Sequence, residues 1–140
     1  VRALEIRALT GEHQAALPEW TYELDGVHQF GLELGRADLD NRIDARVEAM
    51  WRQGIVAEVE NLIPRGLREG RTASRAIGYR QVLTFLDGRC SEEDAKEDVK
   101  RATRRFFRKQ LGWYRRDPRI VWLPAGDSDN PARIMEISGT

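Results

Sequence analysis

Cysteine is nearly missing from this sequence. Cys90 stands alone among 140 residues, which excludes an internal disulfide and fits a reducing cytosol. Histidine is almost as rare, and neither His13 nor His28 has a neighbour at metal-ligand spacing, so no metal is expected on them. No apolar run approaches the ~20 residues that cross a bilayer, and no secretory signal is visible. Internal repeats and low-complexity stretches are lacking too. So is any excess of charge: 23 basic residues meet 23 acidic ones, and the chain as a whole is not a generic polyanion binder. An initiating Met is also lacking. The chain opens at Val1, inside a helical pattern, and reads as a piece of something longer.

What is present is a strong segregation of charge. Residues 99–119 hold nine Lys or Arg against one Asp, a balance of +8, whereas residues 1–98 balance at −6. A basic stripe on a mildly acidic body suits a nucleic acid that docks at one place. The stripe lies on the stretch from Ser91 to Pro118, which reads as one long helix. Ser91 with Asp94 three residues on forms an N-cap pattern, and acids in the first turn suit the positive end of the helix dipole. Arg101, Arg105, Arg108, Gly112 and Arg115 recur at steps of three or four and share a face. Ala95, Val99, Ala102, Phe106 and Trp113 form a second stripe, expected to be the buried one. A mid-helix Gly costs about 1 kcal/mol relative to Ala; at Gly112 one use for it is the close approach of a ligand or another backbone. The plainer alternative is a basic face that only meets solvent.

The rest of the chain is mostly helical. VRALEIRALTG reads as a short helix ended by Gly11, and residues 12–27, with Pro18 and Gly26, read as a loop. HQFGLEL alternates as a strand with Phe30, Leu32 and Leu34 on one face. Asp38 is expected to cap a helix that runs to Gly54, with Leu39, Ile43, Val47, Met50 and Trp51 inward. On another face Arg42 and Arg46 lie one turn apart. Periodicity alone favours surface pairing with Asp38, Asp40 or Asp44 over a fork that grips phosphate. IVAEVENLI is a further helix. In the loop RGLREGRTAS, Gly66, Gly70, Arg71 and Thr72 echo a phosphate loop only faintly, since the spacing is one residue short and no strand precedes it. A helix is expected from about Ser74 to Gly88. Arg75, Gly78 and Arg80 fall in its first turns, where free N–H groups favour an anion; Gly78 serves either such an approach or a helix packing contact. After Pro118, IVWL reads as a short strand and PARIMEI as a terminal helix. The fold class is therefore mostly α with two short strands.

Four segments in order, RALEIRALTG, LDNRIDARVEAMWRQGIVAEVENL, AIGYRQ and KQLGWYRRDPRIVWL, resemble the C-terminal half of the bacterial tRNA dimethylallyltransferase family. The likeness runs through most of the chain. The family commonly carries Gln-x-Thr-Trp in the last motif, and here Gly112 stands at the Thr position without its hydroxyl. The resemblance implies that the chain is part of an α/β, P-loop nucleotide-kinase-like fold with an inserted helical domain. Residues 1–27 would end that inserted domain and return from it, and residues 28–140 would form the C-terminal part of the catalytic core with its tRNA-binding helices.

The resemblance also implies a reaction: transfer of a dimethylallyl group from dimethylallyl diphosphate to N6 of adenosine 37, in tRNAs that read codons starting with U, with Mg2+ assisting the diphosphate. Arg75, Gly78, Tyr79 and Arg80 match one tRNA-contacting segment of the family. Arg108, Lys109, Gln110, Trp113 and Arg115 match another, and Arg2 matches a third. Arg46 matches an arginine near the prenyl diphosphate, which reverses the surface-pairing preference for Arg46 but not for Arg42. The family's phosphate-binding loop and base-activating Asp have no counterpart in these 140 residues, so no catalytic or metal-binding residue is expected here and the chain alone is expected to be inactive. A cytoplasmic, monomeric parent enzyme is implied. A stand-alone helical RNA-binding module, or a purely structural helical domain, would share the same basic stripe.

Overall fold

The computed structural model describes residues 5, 7–9, 11 and 20–139. Residues 5 and 7–9 are helical, and the N–H of Gly11 donates to the carbonyl of Arg7 at 2.9 Å, which matches the opening helix and its stop. Arg2, His13 and the first half of the expected loop, residues 12–19, lie outside the described residues. From there the order is strand β1 (Gln29–Glu33), helices α1 (Arg36–Arg52) and α2 (Ile55–Leu62), two single-turn 3-10 segments (Ile63–Arg65 and Ala73–Arg75), helices α3 (Tyr79–Leu86) and α4 (Glu92–Tyr114), strand β2 (Ile120–Pro124) and helix α5 (Asn130–Ser138). The chain is mostly α with two short strands, as the sequence predicts.

The strands pair with each other in parallel, in register from Gln29 opposite Ile120 to Glu33 opposite Pro124. All of α1–α4 forms the crossover between them. Parallel sheets are normally covered on both faces, yet Leu32 is 63% exposed and Val121 also reaches the surface. Phe30 and Leu34 are half-buried, so only part of the predicted apolar strand face is covered.

The main core sits where α2 and α3 meet, around Ile55, Val59, Leu67, Val82 and Leu83. A second contact line joins α1, through Ile43 and Val47, to α4, through Ala95 and Val99. Farther along α4 the buried stripe departs from the predicted one. Phe106 and Trp113 are 52% and 57% exposed, while Thr103, Phe107 and Leu111 are the half-buried residues. Steps of four, from Ala95 through Val99, Thr103 and Phe107 to Leu111, trace the inclined ridge along which helices interdigitate when they cross. The predicted stripe assumed a line parallel to the axis.

Two helix starts also differ from the sequence reading. α1 begins after Gly35, and Asp38 lies inside its first turn rather than at its cap. α3 begins at Tyr79, not near Ser74. Ala76 is extended at ψ 141°, and Gly78 takes φ +102° and ψ −66°, which no helix continues through. Ser91 does cap α4: its Oγ accepts the N–H of Asp94 at 3.1 Å, and the Asp94 carboxylate accepts back from Ser91. Those bonds hold the Asp94 carboxyl below its ordinary range.

Candidate nucleic-acid interface

The charges of α4 sort by what faces them. Lys100 is buried and donates to Glu97 at 2.7 Å and Glu48 at 2.9 Å. These bonds push its ammonium above the ordinary range and hold the Glu48 carboxyl below its own. Lys96 lies within 3.8 Å of Glu48 and also meets Glu92 and Glu93. Burial draws its ammonium down, but the surrounding acids prevail and leave it raised. Arg104 forks across to α1, pairing Asp40 at 3.1 Å and also Asp44. Arg115 pairs Glu33 at the end of β1, and Arg101 pairs Asp98 at 2.8 Å.

Arg105, Arg108, Lys109 and Arg116 form no ion pair with the described residues, and the first three are exposed helix residues. At 100° per residue Arg105, Arg108 and Lys109 span about a quarter of the helix circumference, with Gly112 between them in projection, and Arg116 follows in the turn just past the helix end. A Cβ on Gly112 would meet nothing within 4 Å. Phe106 and Trp113 border this strip on one side. Trp113 stands edge-on to Trp20 at 5.7 Å and to Tyr114 at 5.6 Å. So the predicted basic face exists, but Arg101 and Arg115 already hold acids and Arg116 takes their place in the unpaired set. Sequence reasoning missed Arg116 because which cations are neutralised depends on the neighbouring elements, not on helical spacing.

The loop before β1 reaches the same end of α4. The Arg119 guanidinium lies 4.0 Å over the Tyr22 ring and 5.5 Å from that of Trp20. It is held by two bonds of 2.8 Å to Asp117, whose carboxyl they keep below the ordinary range.

The AIGYRQ segment packs against the other flank. Gly78 is buried, and a Cβ there would touch Met50 at 3.4 Å and Ile55 at 3.5 Å, so the packing contact is real. Tyr79 is half-buried and its hydroxyl donates to Glu58, a bond that pushes the phenol up. Arg80 is exposed, 3.7 Å from Asp98. Arg75 is exposed in its own 3-10 turn, so the predicted cluster of Arg75, Gly78 and Arg80 in the first turns of one helix does not form.

Arg46 and Arg42 are exposed on α1 without acidic partners among the described residues; Asp40 and Asp44 pair with Arg104 instead. The surface pairing expected for Arg42 is therefore absent among the described residues. Both arginines line a groove of about 470 Å³ between α1 and α4. Its lining also includes Leu39, Val47 and Val99, together with Ile77, from AIGYRQ, and Gln110. Arg46 and Gln110, far apart in sequence, thus line one largely apolar groove. A second groove of about 380 Å³ brings Arg108 and Arg115 together beside Glu33. Among the described residues no cluster of His, Cys, Asp or Glu could hold a metal ion, and no helix is long and apolar enough to cross a membrane.

Fold and surface together define a class: a mainly helical segment joined to a parallel sheet, with a cationic, aromatic-edged face suited to a polyanion. The profile of the IPP transferase family matches residues 1–117, and the chain belongs to that family. The chain is 57% identical to a tRNA dimethylallyltransferase of Kineococcus radiotolerans, over 98% of this chain and 44% of the relative. It is 51% identical to one of Cutibacterium acnes, over 96% of this chain and 42% of the relative. Among solved structures, the full-length tRNA isopentenylpyrophosphate transferase of Bacillus halodurans superposes with a TM-score of 0.74 at 34% identity, over 99% of this chain and 42% of that one. The chain therefore spans less than half the length of these relatives, and its fold is the corresponding part of theirs.

Proposed function

We propose that this chain is the C-terminal portion of a cytoplasmic tRNA-modifying prenyltransferase, which moves a dimethylallyl group from its diphosphate to N6 of adenosine 37 in tRNAs reading codons that start with U. The observation that carries the reading is the strip of unpaired cations beside exposed aromatics on α4, in a chain of the IPP transferase family. In this reading residues 1–27 lead out of an inserted helical domain, and residues 28–140 complete the catalytic core and hold the anticodon stem-loop.

An adenine inside that loop must swing out before its N6 can reach an allylic carbon, so the protein has to grip phosphates and stack on splayed bases. Arg105, Arg108, Lys109 and Arg116 supply the grip, and Trp113 and Phe106 the stacking surface. Arg75 and Arg80 extend the cationic surface toward the Gly78–Tyr79 turn, and Arg2 belongs to the same tRNA-binding set. Bond formation between N6 and the allylic carbon releases diphosphate and a proton from N6. The groove lined by Arg46 fits the departing side of that exchange: apolar residues for a five-carbon chain, and two guanidinium groups, unpaired among the described residues, for the developing negative charge. Arg46 carries the diphosphate role, with Arg42 beside it. Magnesium would offset diphosphate charge when bound; the described residues provide no cluster of His, Cys, Asp or Glu for it.

The test is binding of a synthetic anticodon stem-loop to the chain across a salt series. Four phosphate contacts predict a slope of about −3 in log affinity against log salt. Absence of binding at low salt, or binding indifferent to salt, overturns the reading. Prenyl transfer that appears only when the remainder of the parent sequence is joined to the chain separates this reading from a stand-alone RNA-binding module.

A further inference from the structure

We infer that Gln81 is a positioning residue that locks the Gly78–Tyr79 turn to α4 and thereby sets Tyr79 and Arg80 for RNA. Its consequence for RNA rests on the binding function proposed above; the lock itself does not.

Gln81 is 3% exposed, yet both ends of its carboxamide are engaged. Its Oε1 accepts the N–H of Gly78 at 3.0 Å, and its Nε2 donates to Asp98 Oδ2 on α4 at 2.9 Å. The same Asp98 oxygen lies 3.7 Å from the Arg80 guanidinium, and its other oxygen takes Arg101 at 2.8 Å. One side chain thus joins the turn to the helix bearing the cation strip, and the carboxylate it meets there also faces Arg80. The chemistry selects an amide. Gly78, at φ +102°, aims its N–H inward and requires an acceptor. Asp98, whose carboxyl is held below its ordinary range by Arg101 and then by Gln81, requires a donor. A carboxylate at this position would satisfy the turn and repel Asp98. An aliphatic residue would abandon both. Glutamine alone among side chains of this length supplies acceptor and donor together.

This arrangement predicts a swap. Gln81→Glu sets two carboxylates against each other, whereas adding Asp98→Asn returns a donor to face the new acceptor. We expect Gln81→Glu to weaken anticodon stem-loop binding about tenfold and to speed hydrogen exchange at the Gly78 amide, and the double variant Gln81→Glu/Asp98→Asn to restore both toward the unsubstituted chain. Stem-loop affinity unchanged in Gln81→Glu, or a double variant no better than the poorer single, overturns the inference. If the unsubstituted chain ignores RNA, the proposed function fails while the Gly78 exchange rate still decides the lock: unchanged exchange in Gln81→Glu overturns it, and acceleration reversed by the swap supports it. Should Gln81→Glu not fold, a double variant that folds with a protected Gly78 amide supports the inference, and one that also fails to fold overturns it.

Discussion

At the scale of single residues, two glycines of opposite character give the sharpest contrast. Gly78 holds φ +102°, where a side chain is strained even though the space beside Met50 and Ile55 would accept a methyl group. Gly78→Ala is expected to lower stability by about 1–3 kcal/mol, measured as the shift in urea unfolding. Gly112 has ordinary helical geometry and open space. Gly112→Ala is expected to raise stability by about 1 kcal/mol, and Gly112→Leu to weaken stem-loop binding by covering the gap between the cations; affinity unchanged by Leu would show that no ligand approaches there. Sequence alone left both glycines with two readings, because a glycine reports that a side chain is unwelcome or unneeded without saying which. The Ser91 cap was legible because its partner, Asp94, is local.

At the scale of elements, α4 divides its arginines between holding the fold and facing solvent, and substitutions should divide the same way. Arg104 ties α4 to α1 through Asp40 and Asp44. Arg104→Ala leaves two adjacent acids without a counter-charge and is expected to lower stability by about 1 kcal/mol, with the salt slope of RNA binding unchanged. Arg108→Ala touches no partner and should leave the melting temperature unmoved, while reducing the salt slope by about 1. Equal effects of the two on stability would refute the division. The elements themselves were largely readable: α1 and α4, for example, carry their own periodicity and their own stop signals, Gly54 and Pro118. What periodicity could not give is the rotation of α4 about its axis, since that depends on the angle at which α1 crosses it. The same gap explains why Phe106 and Trp113 were expected inside and stand outside.

At the scale of the whole molecule, the parallel pairing of β1 with β2 was illegible because nothing local links Gln29 to Ile120, and four helices separate the two strands. Long-range order of this kind should be pinned together by whichever interactions connect distant parts, and in this chain many of them are carboxylates. Glu48 joins α1 to α4, Asp87 accepts from Arg68 and Arg89, Asp98 links α3 to α4, and Asp117 orients Arg119 at the entry to β2. All four carboxyls are held below their ordinary values, chiefly by hydrogen bonds from the basic residues that face them. A group whose folded pKa is depressed adds stability that is full above its unfolded pKa, about 4, and is lost as pH falls through the folded value. Lys96 and Lys100 are shifted the other way, so their contribution is full below about pH 10 and fades only as pH rises through their folded values. Stability should therefore be flat from about pH 5 to 10 and decline gradually below pH 4, since each of these solvent-screened links contributes little by itself. Asp98→Asn should flatten part of the acid limb. A melting temperature that declines steadily from pH 8 to 5 would place the controlling protonation on other groups and refute this assignment.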